Sequence, residues 1–279
     1  MKCTKAIIPV AGYGTRRLPI TKALEKSMLP VLNRPVIDYI VQDCIAAGIR
    51  DFYFVVGEEA RQIRQYYGQN EALQAHLIAH HKENFLPIIT PPANCNFQYV
   101  VQGADQPYGT AVPAWLCREF VEANEQVLVI MGDQFFLNAD GSSEAAHFLQ
   151  LAAEAGSSSA MLGVVVPHQE VSKYGIIATT PDKGFERFTH VVEKPRTEDA
   201  PSDLMNASFY LFDKIFFDSI DAYMQTARED EYFITDPLNG YVQAGNSIAV
   251  IRNKGEYLDC GTLEGWLHAN ERVWDVEQH

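Results

Sequence analysis

The chain has 279 residues, 47% of them hydrophobic, and a formal net charge of −14 at pH 7. That is enough apolar material for one large α/β domain or two small ones, while the acidic balance excludes a nucleic-acid binder, whose phosphate contacts need cations rather than a repelling field. No window approaches eighteen apolar residues, so no membrane span is expected, and five cysteines without a Cys-x-x-Cys pair or Cys/His metal spacing read as free thiols in a reducing compartment, the cytoplasm.

A short apolar run at residues 6–10, too short for a signal peptide, breaks at once into Gly12, Gly14 and the cations Arg16, Arg17, Lys22 and Lys26. Glycines let backbone N–H groups close on phosphate oxygens without a Cβ in the way, and the cations neutralise a polyanion, so the loop reads as a phosphate site. It fits neither common glycine-loop template. A dinucleotide fingerprint needs a third glycine where Arg17 stands, and a P-loop needs Gly-Lys-Ser/Thr after four spacers. A glycine turn with a solvated basic edge is the plain alternative.

Pro35 suits a first helical residue, and Val36, Ile37, Ile40, Val41, Cys44 and Ile45 recur at helical spacing up to Gly48. Residues 52–56 then form a continuous apolar run, as in a strand buried on both faces, completing a right-handed βαβ unit. Residues 57–79 read as helices broken at Gly68, and 87–92 as an exposed bend. His76, His80 and His81 lie close together in this surface region, but no carboxylate or cysteine completes a metal set, so they read as solvated. Residues 97–101 make a third strand.

A second glycine-bearing loop, 102–111, follows that strand and leads into a helix carrying Trp115, Leu116 and Phe120. In open parallel sheets ligands sit beyond the carboxyl ends of the strands, so the two loops belong to one crevice. Residues 127–131 are again wholly apolar, and Asp133 follows at the strand tip, where a carboxylate either caps a turn or holds a cation. After the turn at 156–159 and a strand at 161–166 the sheet changes character: 174–192 reads as hairpin material, so the second half is mixed. Glu193-Lys194-Pro195 ends that hairpin and by itself carries almost no information. Helices are expected at 214–223 and 234–243, a last strand at 247–251, and a closing helix with Trp266, Leu267 and Trp274.

Gly12-Tyr13-Gly14-Thr15-Arg16 followed by Lys26-Ser27-Met28-Leu29-Pro30 resembles the signature of the sugar-1-phosphate nucleotidyltransferases, and the wording around Val10-Ala11-Gly12, Thr21-Lys22-Ala23 and residues 44–49 is most similar to the bacterial UTP–glucose-1-phosphate uridylyltransferase branch. Gln102-Gly103, Asp133, Glu193-Lys194-Pro195, residues 206–212 and 231–236, and Asp259 fall in the family's order, so the resemblance spans essentially the whole chain.

The resemblance implies a single Rossmann-like, GT-A-like α/β domain over residues 1–279, with a mixed, mostly parallel sheet flanked by helices. Its N-terminal part would bind the nucleotide and its C-terminal part the sugar phosphate. The implied reaction joins UTP and glucose 1-phosphate into UDP-glucose and pyrophosphate, with Mg²⁺ as cofactor. By the same resemblance Gly12, Gly14, Thr15 and Arg16 hold the triphosphate, Lys26 faces the leaving pyrophosphate, and Ala11, Gln102 and Gly103 face the base. Lys194 would hold the sugar's phosphate, Glu193, Gly175 and Asn206 the sugar, and Asp133 with Asp259 the metal. Gly132, where the uridylyl branch usually has proline, and Asn206-Ala207-Ser208 follow other branches, which keeps a thymidylyltransferase open. Regulatory relatives lose the catalytic lysine or metal acid. Here Lys26, Asp133 and Lys194 remain, favouring an enzyme over a non-catalytic nucleotide-sugar sensor. An acidic protein with a hydrophobic C-terminal helix is also expected to form a homo-oligomer.

Overall fold

The computed structural model describes residues 2–226 and 231–278. In chain order its strands are β1 (Lys2–Pro9), β2 (Pro30–Val31), β3 (Arg34–Pro35), β4 (Asp51–Gly57), β5 (Asn96–Gln102), β6 (Glu125–Ile130), β7 (Gln134–Leu137), β8 (Ser159–Val165), β9 (Gly175–Asp182), β10 (Phe185–Glu193), β11 (Leu204–Asp213), β12 (Ile248–Arg252) and β13 (Glu256–Asp259). The helices are α1 (Val36–Ala46), α2 (Gln62–Tyr66), α3 (Glu71–Ala79), α4 (Leu86–Ile89), α5 (Val112–Leu116), α6 (Glu144–Glu154), α7 (Lys214–Met224), α8 (Thr235–Gln243) and α9 (Leu263–Glu277). Among these residues no helix is long and apolar enough to cross a membrane.

Nine strands form one sheet in the order β5-β4-β1-β6-β11-β8-β12-β10-β9. Alternation along its central strands builds two cores at once, because successive side chains leave on opposite faces. Ala6, Ile8, Phe52, Phe54, Leu128 and Ile130 pack on one side under α1, α6 and α9. Ile7, Tyr53, Val55, Val127 and Val129 pack on the other under α5, α7 and α8.

The sheet is mixed, as expected. Strands β5, β4, β1 and β6 are parallel neighbours, but β11 is antiparallel to both β6 and β8, and β10 is antiparallel to both β12 and β9. Strands β8 and β12 are again parallel, so seven of the nine strands point one way with β10 and β11 alone reversed, and the sheet is mixed and mostly parallel. Of the reversed strands, β11 follows the β9–β10 hairpin and inserts in the middle of the sheet.

Three local expectations shift. Pro35 is extended and precedes α1 instead of opening it, being paired with Pro30 in the β2–β3 ladder. The bend at 87–92 begins as the helical turn α4. Strand β12 is not the last, since β13 follows and pairs with β7 in a separate ladder that matters for the site. His76 and His80 stack at 4.1 Å, with His80 Nδ1 2.8 Å from the His76 carbonyl, and no group of three metal-ligating side chains occurs among the described residues.

Candidate active site

The glycine loop leaves the sheet where Val10 N donates to Val55 O at 2.8 Å. Gly14 is left-handed at φ 64°, and Thr21 Oγ1 donates back to its carbonyl at 2.8 Å. A Cβ on Gly14 would lie 3.0 Å from the Thr21 methyl and 3.1 Å from Lys26 Cβ, so the loop closes directly on the stem of Lys26. Gly12 faces open space, as backbone approached by a ligand must. Lys26 Nζ forms an ion pair with Asp133 Oδ2.

Of the four cations in the loop, Arg17 has another task. It is 5% exposed, donates to Thr262 O at 2.6 Å and lies over the Trp266 ring at 4.9 Å, tying the loop to α9. Its expected place among phosphate-facing cations is therefore corrected: burial takes it out of reach of a ligand.

Two carboxylates meet on the β7–β13 ladder. Asp259 pairs with Gln134 in register, and Cys260 N donates to Asp133 O at 2.9 Å. Burial raises the Asp259 carboxyl above its usual range, and the Asp133 charge adds to this, while the Gly261 N–H, Lys26 and Arg16 oppose it. A Cβ on Gly261 would meet Asp259 Oδ1 at 2.9 Å and Asp133 Oδ2 at 3.2 Å, with the Arg16 guanidinium 3.8 Å away. Only glycine leaves that gap between the acids. Strand β13 is placed by Glu144, fully buried, whose oxygens accept Lys254 N–H at 2.8 Å and Gly255 N–H at 2.7 Å. Buried charge is tolerated there because backbone donors satisfy it.

On the other side Glu193 lies opposite Gly175 in the β9–β10 ladder, and a Cβ on Gly175 would sit 2.9 Å from Glu193 Oε1. Burial raises the Glu193 carboxyl; Lys194 opposes the shift and Asp236 adds to it. Lys194 is held at φ 45°, its N–H donating to Tyr174 O at 2.9 Å. Burial raises the Tyr174 phenol; the charges of Glu170 and Asp259 add to the shift and Lys173 opposes it. Asn206 turns inward: Nδ2 donates to Tyr210 OH at 2.8 Å and Oδ1 accepts Ser208 N–H at 3.0 Å, holding a bulge in β11 where Ser208 is at φ 52°.

Ala11 follows the end of β1, and Gln102 and Gly103 stand at the end of β5, with β4 between the two strands. A Cβ on Gly57, the last residue of β4, would lie 3.7 Å from Ala11 O, and one on Gly103 would lie 3.2 Å from Glu58 Oε1. Gln102 Nε2 donates to Pro107 O at 3.1 Å, and Gly103 N to Gln106 Oε1 at 3.1 Å.

Lys26 and Asp133 thus bring the glycine loop to the carboxylate pair, and residues 5–275 match the nucleotidyl transferase family. The chain belongs to that family. It is 35% identical over 270 residues to a Streptococcus pyogenes UTP–glucose-1-phosphate uridylyltransferase, covering 95% of this chain and 87% of the relative. A UTP-bound UGPase from Acinetobacter baumannii superposes with a TM-score of 0.87 at 26% identity, covering 98% and 93% of the two chains. A UDP-glucose pyrophosphorylase complexed with UDP-glucose superposes at 0.80 with 29% identity, covering 98% and 99%.

Nucleotidyl transferases of this family generally use a divalent metal, and the donor set here fits one. Asp133 and Asp259 offer carboxylate oxygens around the gap at Gly261, the hard-ligand arrangement in which a small divalent cation takes one or two protein acids and completes its shell with phosphate and water. Sequence reasoning missed Gly261, Glu144 and the inward role of Arg17. The Gly-Thr after Asp259 was the one available signal, and it points to a turn as readily as to a cradle.

Proposed function

We propose that the protein transfers the uridylyl group of UTP to glucose 1-phosphate, forming UDP-glucose and releasing pyrophosphate. The observation that carries the reading is the Lys26–Asp133 ion pair, which brings the glycine loop and the paired acids to one point. The names of the family relatives support the choice of nucleotide and sugar.

In this reading Gly12 and Gly14 present backbone to the triphosphate while Thr15 and Arg16 bind its oxygens. Lys26 exchanges its bond to Asp133 for the charge that grows toward the leaving pyrophosphate. Asp133 and Asp259 would hold Mg²⁺, which when bound neutralises and orients phosphate oxygens. Lys194 holds the phosphate of glucose 1-phosphate in line with the α-phosphorus, and Glu193 with the Gly175 backbone receives the sugar hydroxyls. Asn206 acts through the bulge it holds. No general base is needed, because a phosphate monoester with a second pKa of about 6 is already mostly dianionic at neutral pH. What remains is positioning and charge neutralisation. The single domain divides accordingly, its N-terminal part binding nucleotide and its C-terminal part sugar phosphate.

Ala11, Gln102 and Gly103 face the base. With Nε2 committed to Pro107 O, the Gln102 amide keeps Oε1 free to accept the N3–H of uracil. Cytosine offers an acceptor at that position and is rejected. The same oxygen serves thymine equally, so the dTTP alternative turns on room for the 5-methyl group. The five free thiols suit a cytoplasmic enzyme, and exposed Leu263, Leu267 and Trp274 on α9 suit self-association.

A pyrophosphate-release screen of nucleoside triphosphates against sugar 1-phosphates tests the reading. The highest kcat/KM is expected for UTP with glucose 1-phosphate. A dTTP value well above that of UTP would move the protein to the thymidylyl branch, and no release from any pair would leave a sensor.

A further inference from the structure

Glu25 immediately precedes the lysine assigned to the leaving pyrophosphate, and no motif singles it out. It is half-buried and grips the turn that opens α2. One carboxylate oxygen accepts the N–H groups of Arg61 and Gln62, both at 2.6 Å, and the other accepts that of Ile63 at 3.3 Å. The Gln62 side chain answers by accepting Glu25 N–H at 2.8 Å and donating to Ala23 O at 3.2 Å. Ile63 is fully buried, so the gripped turn is itself fixed in the core. Glu25 also starts the 3₁₀ turn Lys26–Met28, where Met28 N donates to its carbonyl at 2.8 Å.

This clasp stands where the loop has little else to hold it. Between residues 12 and 24 Arg17 alone is buried, and it moors the loop to α9. A lysine side chain has a long flexible stem, so its charge can be aimed only if its backbone is fixed. The short charge-assisted bonds from Glu25 are of the strong kind. The same β4–α2 turn carries Gly57 beside Ala11 and Glu58 beside Gly103, so the lysine and the base pocket rest on one support.

We infer that Glu25 and Gln62 are positioning residues that set the backbone of Lys26, so that its ammonium meets Asp133 and the triphosphate. The kinetic side of this inference rests on the transfer reading above; the aim of Lys26 can be read without it.

The test compares the full-length wild type with Glu25→Ala, Gln62→Ala, the double variant and Glu25→Gln. Steady-state kinetics are paired with acetic anhydride labelling of the free protein, Lys26 being scored by mass spectrometry against exposed Lys183. Each alanine variant should lose about tenfold or more in kcat, since misplacement of about an ångström costs up to a hundredfold. KM for glucose 1-phosphate should stay within about twofold. The double variant should be no worse than the worse single one, because the two side chains act as one clasp. Lys26 should label several times faster while Lys183 does not change, and Glu25→Gln, which keeps an acceptor oxygen, should recover most of the turnover. If Glu25→Ala does not fold, Gln62→Ala and Glu25→Gln carry the comparison. A lowered melting temperature with wild-type kcat and Lys26 labelling would reduce the clasp to a helix cap and overturn the inference. A wild type that makes no nucleotide sugar would sink the transfer reading, and the labelling would still decide the clasp.

Discussion

Asp259 is a carboxylate that the fold makes uncomfortable. Its raised pKa means that the folded protein binds the proton more tightly than the unfolded chain does. Ionisation therefore costs stability as the pH rises from the ordinary carboxylate range through the raised value, and the cost persists at neutral pH. Asp259→Asn should accordingly raise the melting temperature of the metal-free protein at pH 7 while turnover collapses. In the proposed mechanism Mg²⁺ stabilises the wild type by binding the folded state, an effect that should largely vanish in the variant. Differential scanning fluorimetry with and without Mg²⁺ checks both halves, and an unchanged metal-dependent shift would remove Asp259 from the metal site. Gln102→Ala should erode the preference for UTP over CTP by about tenfold or more, the cost of losing one buried pairing of roughly 1–3 kcal/mol; competition assays with the two nucleotides read it. The meeting of Lys26 with Asp133 was expected from the family resemblance, since a carboxylate at a strand tip is by itself as readily a turn cap. The burial of Arg17 was not, since nothing in a row of cations says which one turns under a tryptophan.

The elements that could be read in advance were those whose pattern is local. Uninterrupted apolar runs marked β1, β4 and β6, and helical spacing marked α1, because burial on both faces or along one stripe leaves a trace in every residue. The short strand β13 was overlooked: four residues between Gly255 and the Asp259 turn carry too little pattern, and their place depends on Glu144, more than a hundred positions earlier. The central position of β11 is likewise a long-range choice, invisible in its own alternation. The segment carrying Tyr232 to Asp236 shows how such contacts are secured. Gly109, at φ 136°, lets Tyr232 N donate to Tyr108 O and Ala111 N donate to Tyr232 O, each at 2.9 Å, and a Cβ there would strike the Tyr232 backbone. Gly109→Ala should lose about 1–3 kcal/mol from backbone strain alone, with the clash adding to it. Urea unfolding measures this, and a wild-type midpoint would show that the segment docks by other means.

At the scale of the molecule the chain carries a net charge of −14, so the attraction for anionic substrates that the proposed mechanism assigns to Arg16, Lys26 and Lys194 is local rather than global. The sheet assigns the two lysines to different halves: Lys26 lies on the loop after the parallel strand β1, and Lys194 on the corner after the antiparallel strand β10. In the proposed mechanism one lysine serves the triphosphate and the other the sugar phosphate. That division is tested most directly by steady-state pyrophosphate release from UTP and glucose 1-phosphate in Lys26→Ala and Lys194→Ala, each substrate being varied in turn. Lys26→Ala should chiefly lower kcat, because its charge acts as the bond to pyrophosphate breaks, and Lys194→Ala should chiefly raise the KM for glucose 1-phosphate. If both variants instead raised the KM for UTP equally and left that for glucose 1-phosphate alone, the two-sided pocket would be contradicted.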